Sequence, residues 1–295
     1  MKTVGFIGTG GMGSGMAANL IKAGYRLVVN DLRREQPKGL EAQGAQFKET
    51  PKAVAESCEL VLSMLPNNDA VRAVGLGKGG LAEAASGTKT WIDFSSIDKA
   101  TIVGVSDELS KKGWTVVDAS AGGVEEVAAA GQLALWLSGS KALFDEHQPI
   151  FKAMGKSILH VGELGNAKLV KNAMAMLAAV QHLSFVEVCC WLKKGGLDEA
   201  TFQTVIKNSQ QDSVATRRIM ELLVSRKFKP RKSWMPKDVG FGLDMARDME
   251  VPMPFVGLAS QMFGIAQATG QDGYEATGIA CNVYDVINGN KAKPS

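Results

Sequence analysis

The sequence predicts an α/β protein in which a doubly wound, mostly parallel N-terminal sheet is followed by an all-α C-terminal domain, the two joined by a long helix. Three observations carry this expectation. Short β-type runs alternate with helical segments through the first half of the chain. A glycine-rich string, Gly8-Thr9-Gly10-Gly11-Met12-Gly13, follows the first of those runs directly. From about Gly165 onward the strand signals stop, and 166–194 reads as one helix rich in Ala, Leu and Met until Gly195-Gly196 ends it.

Taken in order, strands are expected at 3–8, 26–31, 59–65, 88–94, 114–119 and 133–138. The long helix would extend about 40 Å. After it, helical periodicity returns at 198–207, 213–225, 235–248 and 254–268, with Gly, Pro or polar clusters between. The domain boundary is placed between 163 and 164, giving a nucleotide-binding domain over 1–163 and a helical substrate and oligomerisation domain over 164–295. Met174 and Met176 are read as core filler, and 288–295, polar with Gly and Pro, as a fraying end.

Composition narrows the function classes. A chain of 295 residues, 45% hydrophobic and 21% charged, can bury two cores. Its 33 basic and 30 acidic residues are mixed, so no basic stripe marks a nucleic-acid surface. Cys58, Cys189, Cys190 and Cys281 include one adjacent pair and no CxxC, which fits reduced thiols rather than a disulfide framework or zinc site. His147, His160 and His182 have no metal-ligand spacing, and no metal is expected. The N-terminus breaks its apolar run at the glycines and so lacks the form of a signal peptide. No stretch shows the unbroken apolar length of a membrane span. Cytoplasmic residence with no membrane partner is the expectation.

The glycine string has the spacing of a dinucleotide site. Gly8 permits the tight turn from strand to helix, Gly10 lets backbone N–H groups approach a pyrophosphate, and Gly13 lets helix and strand pack closely, with Gly11 and Met12 at the helix start. Asp31 ends the second strand, where a carboxylate can accept hydrogen bonds from both ribose hydroxyls and repel a 2′-phosphate. NAD is therefore preferred, while Arg33 and Arg34 next to it leave NADP open. Leu65, Pro66 and Asn67, and the Ser95-Ser96 pair, follow strand-like runs and are candidate cofactor contacts by position.

The string GFIGTGGMGSGMAANLIKAG resembles the opening of the β-hydroxyacid dehydrogenase family, relatives of 3-hydroxyisobutyrate dehydrogenase. Further stretches agree in order and spacing: Ser63-Met64-Leu65-Pro66-Asn67, Asp93-Phe94-Ser95-Ser96, the segment 118–133, Gly165-Asn166-Ala167-Lys168-Leu169-Val170-Lys171-Asn172, and Lys237-Asp238 before Gly240. The resemblance implies a Rossmann-type domain and a helical domain that forms homodimers or homotetramers. It implies an NAD(P)-dependent oxidoreductase moving a hydride between nicotinamide and a small acidic substrate, a β-hydroxyacid or its semialdehyde. Lys168 would be the catalytic acid/base, Asn172 would orient substrate or lysine, Asn67, Ser96 and Lys237 would serve the cofactor side, and Ser120, Ala121, Gly122 and Gly123 would bind substrate together with Lys168 and Asn172.

The chemistry agrees with this assignment. Hydride transfer at a carbinol carbon leaves a proton on, or demands one for, the oxygen, and an ammonium can handle it while stabilising developing negative charge. Asn172, at i+4 from Lys168, projects on the same helical face. Two departures stand out. Gly122 replaces the family's usual serine and Val124 a usual glycine, so substrate would be held through backbone N–H groups and Ser120. The glycine occurs also in sulfolactaldehyde reductases of the family, whose arginine-bearing continuation is absent here. Lys171 replaces the first Asn of a usual pair, three positions from Lys168, where two ammonium groups would lower each other's pKa; it would tune Lys168 or support an anion. Other readings are an imine reductase-like enzyme, a 6-phosphogluconate-type enzyme, for which the helical part is short, and a non-catalytic dinucleotide-binding module.

Overall fold

Val4, Phe6 and Ile7 are almost wholly buried although they point to both faces of the first strand, as a central strand of a parallel sheet requires. Gly5 sits between them because a Cβ there would stand 2.6 Å from Val54 Cγ1. The computed structural model describes residues 2–85, 89–230 and 233–289, and the chain divides into two compact units, Met1–Lys171 and Asn172–Ser295. That division falls inside the long helix, eight residues beyond the boundary expected from the sequence.

In the first unit, β1 (Thr3–Ile7), α1 (Gly11–Lys22), β2 (Arg26–Asn30), α2 (Lys38–Glu41), β3 (Gln46–Phe47), α3 (Pro51–Ala55), β4 (Leu60–Ser63), α4 (Asn68–Leu76), β5 (Lys89–Asp93), α5 (Lys99–Ser110) and β6 (Trp114–Gly122) alternate. They are followed by α6 (Glu125–Ala129), β7 (Leu133–Ser138), α7 (Lys141–Glu146), α8 (Gln148–Met154) and β8 (Gly155–His160). The eight strands lie in the order β3-β2-β1-β4-β5-β6-β7-β8. All pairings are parallel except β6 with β7. The order reverses direction between β1 and β4, the switch point at which doubly wound sheets open a crevice for ligands. One apolar layer, including Met16, Leu20, Phe94 and Leu135, covers one side of the sheet, and a second with Val61, Trp91, Ile102 and Val105 covers the other.

The expected strands are present, with Thr88 outside the described residues. Two more were not anticipated. β3 is only two residues long and too short for an alternating pattern, and β8 is an edge strand whose burial alternates weakly.

The helix α9 (Asn166–Lys194) carries the chain into the second unit, where α10 (Glu199–Lys207), α11 (Val214–Ser225), α12 (Met235–Asp248), α13 (Pro254–Ala268) and α14 (Ala276–Ile287) follow. Asp198 caps α10 through the Thr201 N–H at 2.7 Å, and Ser213 forms a capping box with Thr216 on α11. α14 was not among the helices expected from the sequence; its first eight residues are buried. Met176, Ala179, Leu183 and Val186 of α9 join this unit's core. Met174, expected in the core, is instead 48% exposed. By length and composition α9 is apolar enough to cross a membrane, although Gln181, His182, Ser184 and Glu187 interrupt its apolar run.

Candidate active site

The site grows from the carboxyl ends of β1, β2, β4, β5 and β6, all parallel and therefore at one edge of the sheet. Gly8 adopts φ +87°, and a Cβ on it would lie 2.3 Å from the Met64 carbonyl oxygen. A Cβ on Gly13 would lie 2.0 Å from the Gly8 carbonyl, so α1 can approach the turn only with glycine there. Gly10 caps α1, and the nearest atom to a Cβ built on it is Arg33 Nη2 at 3.7 Å. Gly11 has the Glu125 carboxylate beside it. This cradle, on a helix of 12 residues, fits the pyrophosphate of a dinucleotide.

The Asp31 carboxylate is held in place by the Thr9 N–H at 2.8 Å and the Arg33 N–H at 2.9 Å. Arg34 donates twice to Glu41, at 2.6 and 2.9 Å, and lies 4.1 Å over the Phe47 ring. Arg33 is the remaining cation, its Nε 4.0 Å from Asp31, and Leu32 between them is fully exposed.

The loops after β4 and β5 are tied together. The Leu65 N–H donates to Ser95 Oγ at 2.9 Å, and Ser95 Oγ and Ser63 Oγ each donate to Asp93 Oδ1 at 2.6 Å. Asn67 caps α4 through the Ala70 N–H at 2.9 Å, Asp98 caps α5, and Asn68 donates to Asp98. Pro66 and Asn67 are exposed and Ser96 is half-buried, which leaves them accessible to a ligand. Ser95, a candidate cofactor contact from the sequence, is buried and forms the hub of this link.

Lys168 Nζ reaches the carboxyl ends of β5 and β6. Its side chain is 0% exposed. Nζ lies 2.9 Å from the Asp93 carbonyl, 3.1 Å from Asp93 Oδ2, 2.6 Å from the Ala119 carbonyl and 3.0 Å from Asp118 Oδ1. Four acceptors surround three ammonium protons. Burial pulls the pKa down, but the charges and hydrogen bonds of Asp118 and Asp93 more than offset it, and the pKa is raised from its ordinary value of 10.5. The expectation that Lys171 lowers it is thereby corrected. The buried ammonium ties the ends of β5 and β6 to the start of α9. Asp118 completes the lock by accepting from Ser138 Oγ at 2.7 Å and the Ala167 N–H at 3.0 Å.

Lys171, one turn further, is half-buried, and its Nζ donates to the Ala121 carbonyl at 3.1 Å, at the end of β6. Asn172 shares the face of Lys168, not of Lys171, and is 1% exposed. Ser120 is 0% exposed, and its Oγ has no hydrogen-bond partner among the described residues. Ala121 contributes its carbonyl while its side chain packs in the core. In the second unit Lys237 pairs with Asp238 at 3.3 Å and lies 5.3 and 5.5 Å from the Trp234 and Phe241 rings. Among the described residues no three His, Cys, Asp or Glu side chains come together to hold a metal ion.

Strand order, switch-point glycines and the acidic end of β2 define a dinucleotide-binding domain. Residues 3–162 match the NAD binding domain of 6-phosphogluconate dehydrogenase, and 165–281 match the NAD-binding domain of NADP-dependent 3-hydroxyisobutyrate dehydrogenase. The chain belongs to the β-hydroxyacid dehydrogenase family and is an NAD(P)-dependent oxidoreductase of the 3-hydroxyisobutyrate dehydrogenase type. It is 32% identical to 2-(hydroxymethyl)glutarate dehydrogenase of Eubacterium barkeri over 289 residues, covering 97% of this chain and 96% of the relative. It is also 32% identical to 3-hydroxyisobutyrate dehydrogenase of Pseudomonas aeruginosa over 287 residues, covering 91% and 93%. The solved 3-hydroxyisobutyrate dehydrogenase of Mycobacterium tuberculosis has the same fold, with a TM-score of 0.86 at 24% identity over 95% of this chain and 98% of that one.

Proposed function

We propose that this enzyme is an NAD-preferring β-hydroxyacid dehydrogenase, interconverting a small β-hydroxyacid and its semialdehyde, with Lys171 rather than Lys168 as the acid/base. The observation that carries the proposal is the contrast between the two lysines. Lys168 has every proton committed to buried acceptors, whereas Lys171 stands half-buried at the end of β6.

The glycine turn and the loops ending β4 and β5 would hold the dinucleotide, and Asp31 would receive the adenosine ribose. The Asp31 carboxylate repels a 2′-phosphate, Leu32 offers no charge to one, and Arg34 is engaged by Glu41, which together support NAD. When bound, the nicotinamide supplies or accepts the hydride. Lys171, as ammonium, donates a hydrogen bond to the substrate oxygen and passes it a proton as carbonyl becomes hydroxyl; in the other direction its amine takes the proton back. Its positive charge also favours an acidic substrate and the developing alkoxide. The buried Lys168–Asp93–Asp118 cluster keeps α9, and so Lys171, in register with the end of β6.

Exposed apolar side chains on α9 (Leu177, Trp191) and on α13 (Phe255, Leu258) support assembly into a homodimer or homotetramer through the helical unit. The test of the proposal is NAD(H)- and NADP(H)-linked turnover on a panel of β-hydroxyacids and semialdehydes. Turnover that favours NAD and is lost in Lys171→Met supports it, and full turnover by that variant would refute it.

A further inference from the structure

The end of β6 has lost its side-chain hydrogen-bond donors. Ser120 is sealed, Ala121 is in the core, and Gly122 and Gly123 carry none. The glycines are dictated by their neighbours. A Cβ on Gly122 would stand 2.7 Å from Cη2 of Trp136 and 3.2 and 3.4 Å from two further atoms of the same six-membered ring. One on Gly123, at φ +144°, would stand 2.8 Å from Leu133 and 3.1 Å from Val127. The indole reaches this position because Trp136 is the antiparallel cross-strand partner of Ser120, which places its side chain on the strand face that carries Ser120 and Gly122. Trp136 is half-buried, and its ring lies beside Gly122. A few ångströms along the same strand end, Lys171 holds the Ala121 carbonyl.

We propose that Trp136 is a specificity-determining residue: its indole makes glycine obligatory at 122 and replaces a hydroxyl-bearing seat with an apolar, aromatic wall. The wall selects β-hydroxyacids that carry an alkyl group beside the carboxylate over those that carry a second hydroxyl there. A hydroxyl set against the indole would lose its water without gaining a partner, whereas an alkyl group gains contact. The inference deepens the proposed function and rests on it, since it concerns the substrate of the same site.

The experiment uses the full-length enzyme and Trp136→Leu, Gly122→Ser and the double variant, each read by thermal unfolding, by NADH binding, and by kcat/KM on 3-hydroxyisobutyrate against glycerate. Gly122→Ser alone is expected to lower the melting temperature and to reduce kcat/KM at least tenfold on both acids. In the double variant the serine has space, so the loss of melting temperature is less than the sum of the two single effects. Trp136→Leu lowers the ratio of 3-hydroxyisobutyrate to glycerate turnover about tenfold, and the double variant lowers it further. Additive melting temperatures, or a substrate ratio unchanged in Trp136→Leu, would overturn the inference. A parent enzyme that binds NADH but turns over no hydroxyacid would instead refute the proposed function, while the melting temperatures would still decide whether Gly122 and Trp136 are coupled.

Discussion

Lys168 and Lys171 are one helical turn apart on α9, yet their ammonium groups end in opposite circumstances. Lys168 Nζ lies among the carboxylates of Asp93 and Asp118 with no exposed surface, and Lys171 Nζ lies against the Ala121 carbonyl of a half-buried strand end.

Removing the Lys168 charge strands two buried carboxylates. Lys168→Met is expected to cost about 3–5 kcal/mol of stability, read by denaturant unfolding, with part of the loss recovered when Asp93→Asn and Asp118→Asn are added. Because its folded pKa is raised above 10.5, its contribution is fully present below about pH 10.5 and is lost only as pH rises through that higher value. Any ionisation seen near neutral pH therefore belongs to another group.

Asp31 is fixed by two backbone N–H groups before any cofactor arrives. Asp31→Asn is expected to weaken NAD binding about tenfold, the scale of a charged hydrogen bond, and to narrow the preference for NAD over NADP. Fluorescence titration with both reduced cofactors measures this, and unchanged affinity for each would remove Asp31 from the ribose site.

The second unit carries its own pH sensitivity. His182 Nδ1 and Thr277 Oγ1 are 2.8 Å apart, and burial pushes the imidazole pKa down to about 4 from 6.5. The unfolded chain binds this proton first, so stability is complete above about pH 6.5 and falls by about 3 kcal/mol as pH drops to 4. His182→Gln is expected to flatten unfolding free energy against pH across that window.

Much of this architecture is legible in the sequence, because a central parallel strand, a glycine turn and a long apolar helix each carry a local physical signature. Asp31 and the glycines are in that class: φ +87° at Gly8 and the 2.0 Å approach at Gly13 are demands that only glycine meets. The choice between lysines is not local. Stepping the buried stripe of α9 back from Leu183, Ala179 and Met176 leads to Asn172 and then Lys168, a periodicity that could have placed Lys168 on the inner face. Its partners, Asp93 and Asp118, lie 75 and 50 positions away in the chain, and only the parallel pairing of β5 with β6 brings them together. Trp136 was hidden for the same reason, since its meeting with Gly122 depends on the antiparallel turn of β7.

The central claim is the assignment of proton transfer to Lys171, and the most direct measurement is the pH–rate profile of Lys171→Met beside the parent enzyme, with NADH binding as the control for folding. The account predicts that the variant still binds NADH and that kcat falls about 10²- to 10⁴-fold across the profile. A variant with parental kcat and an unshifted profile would contradict it.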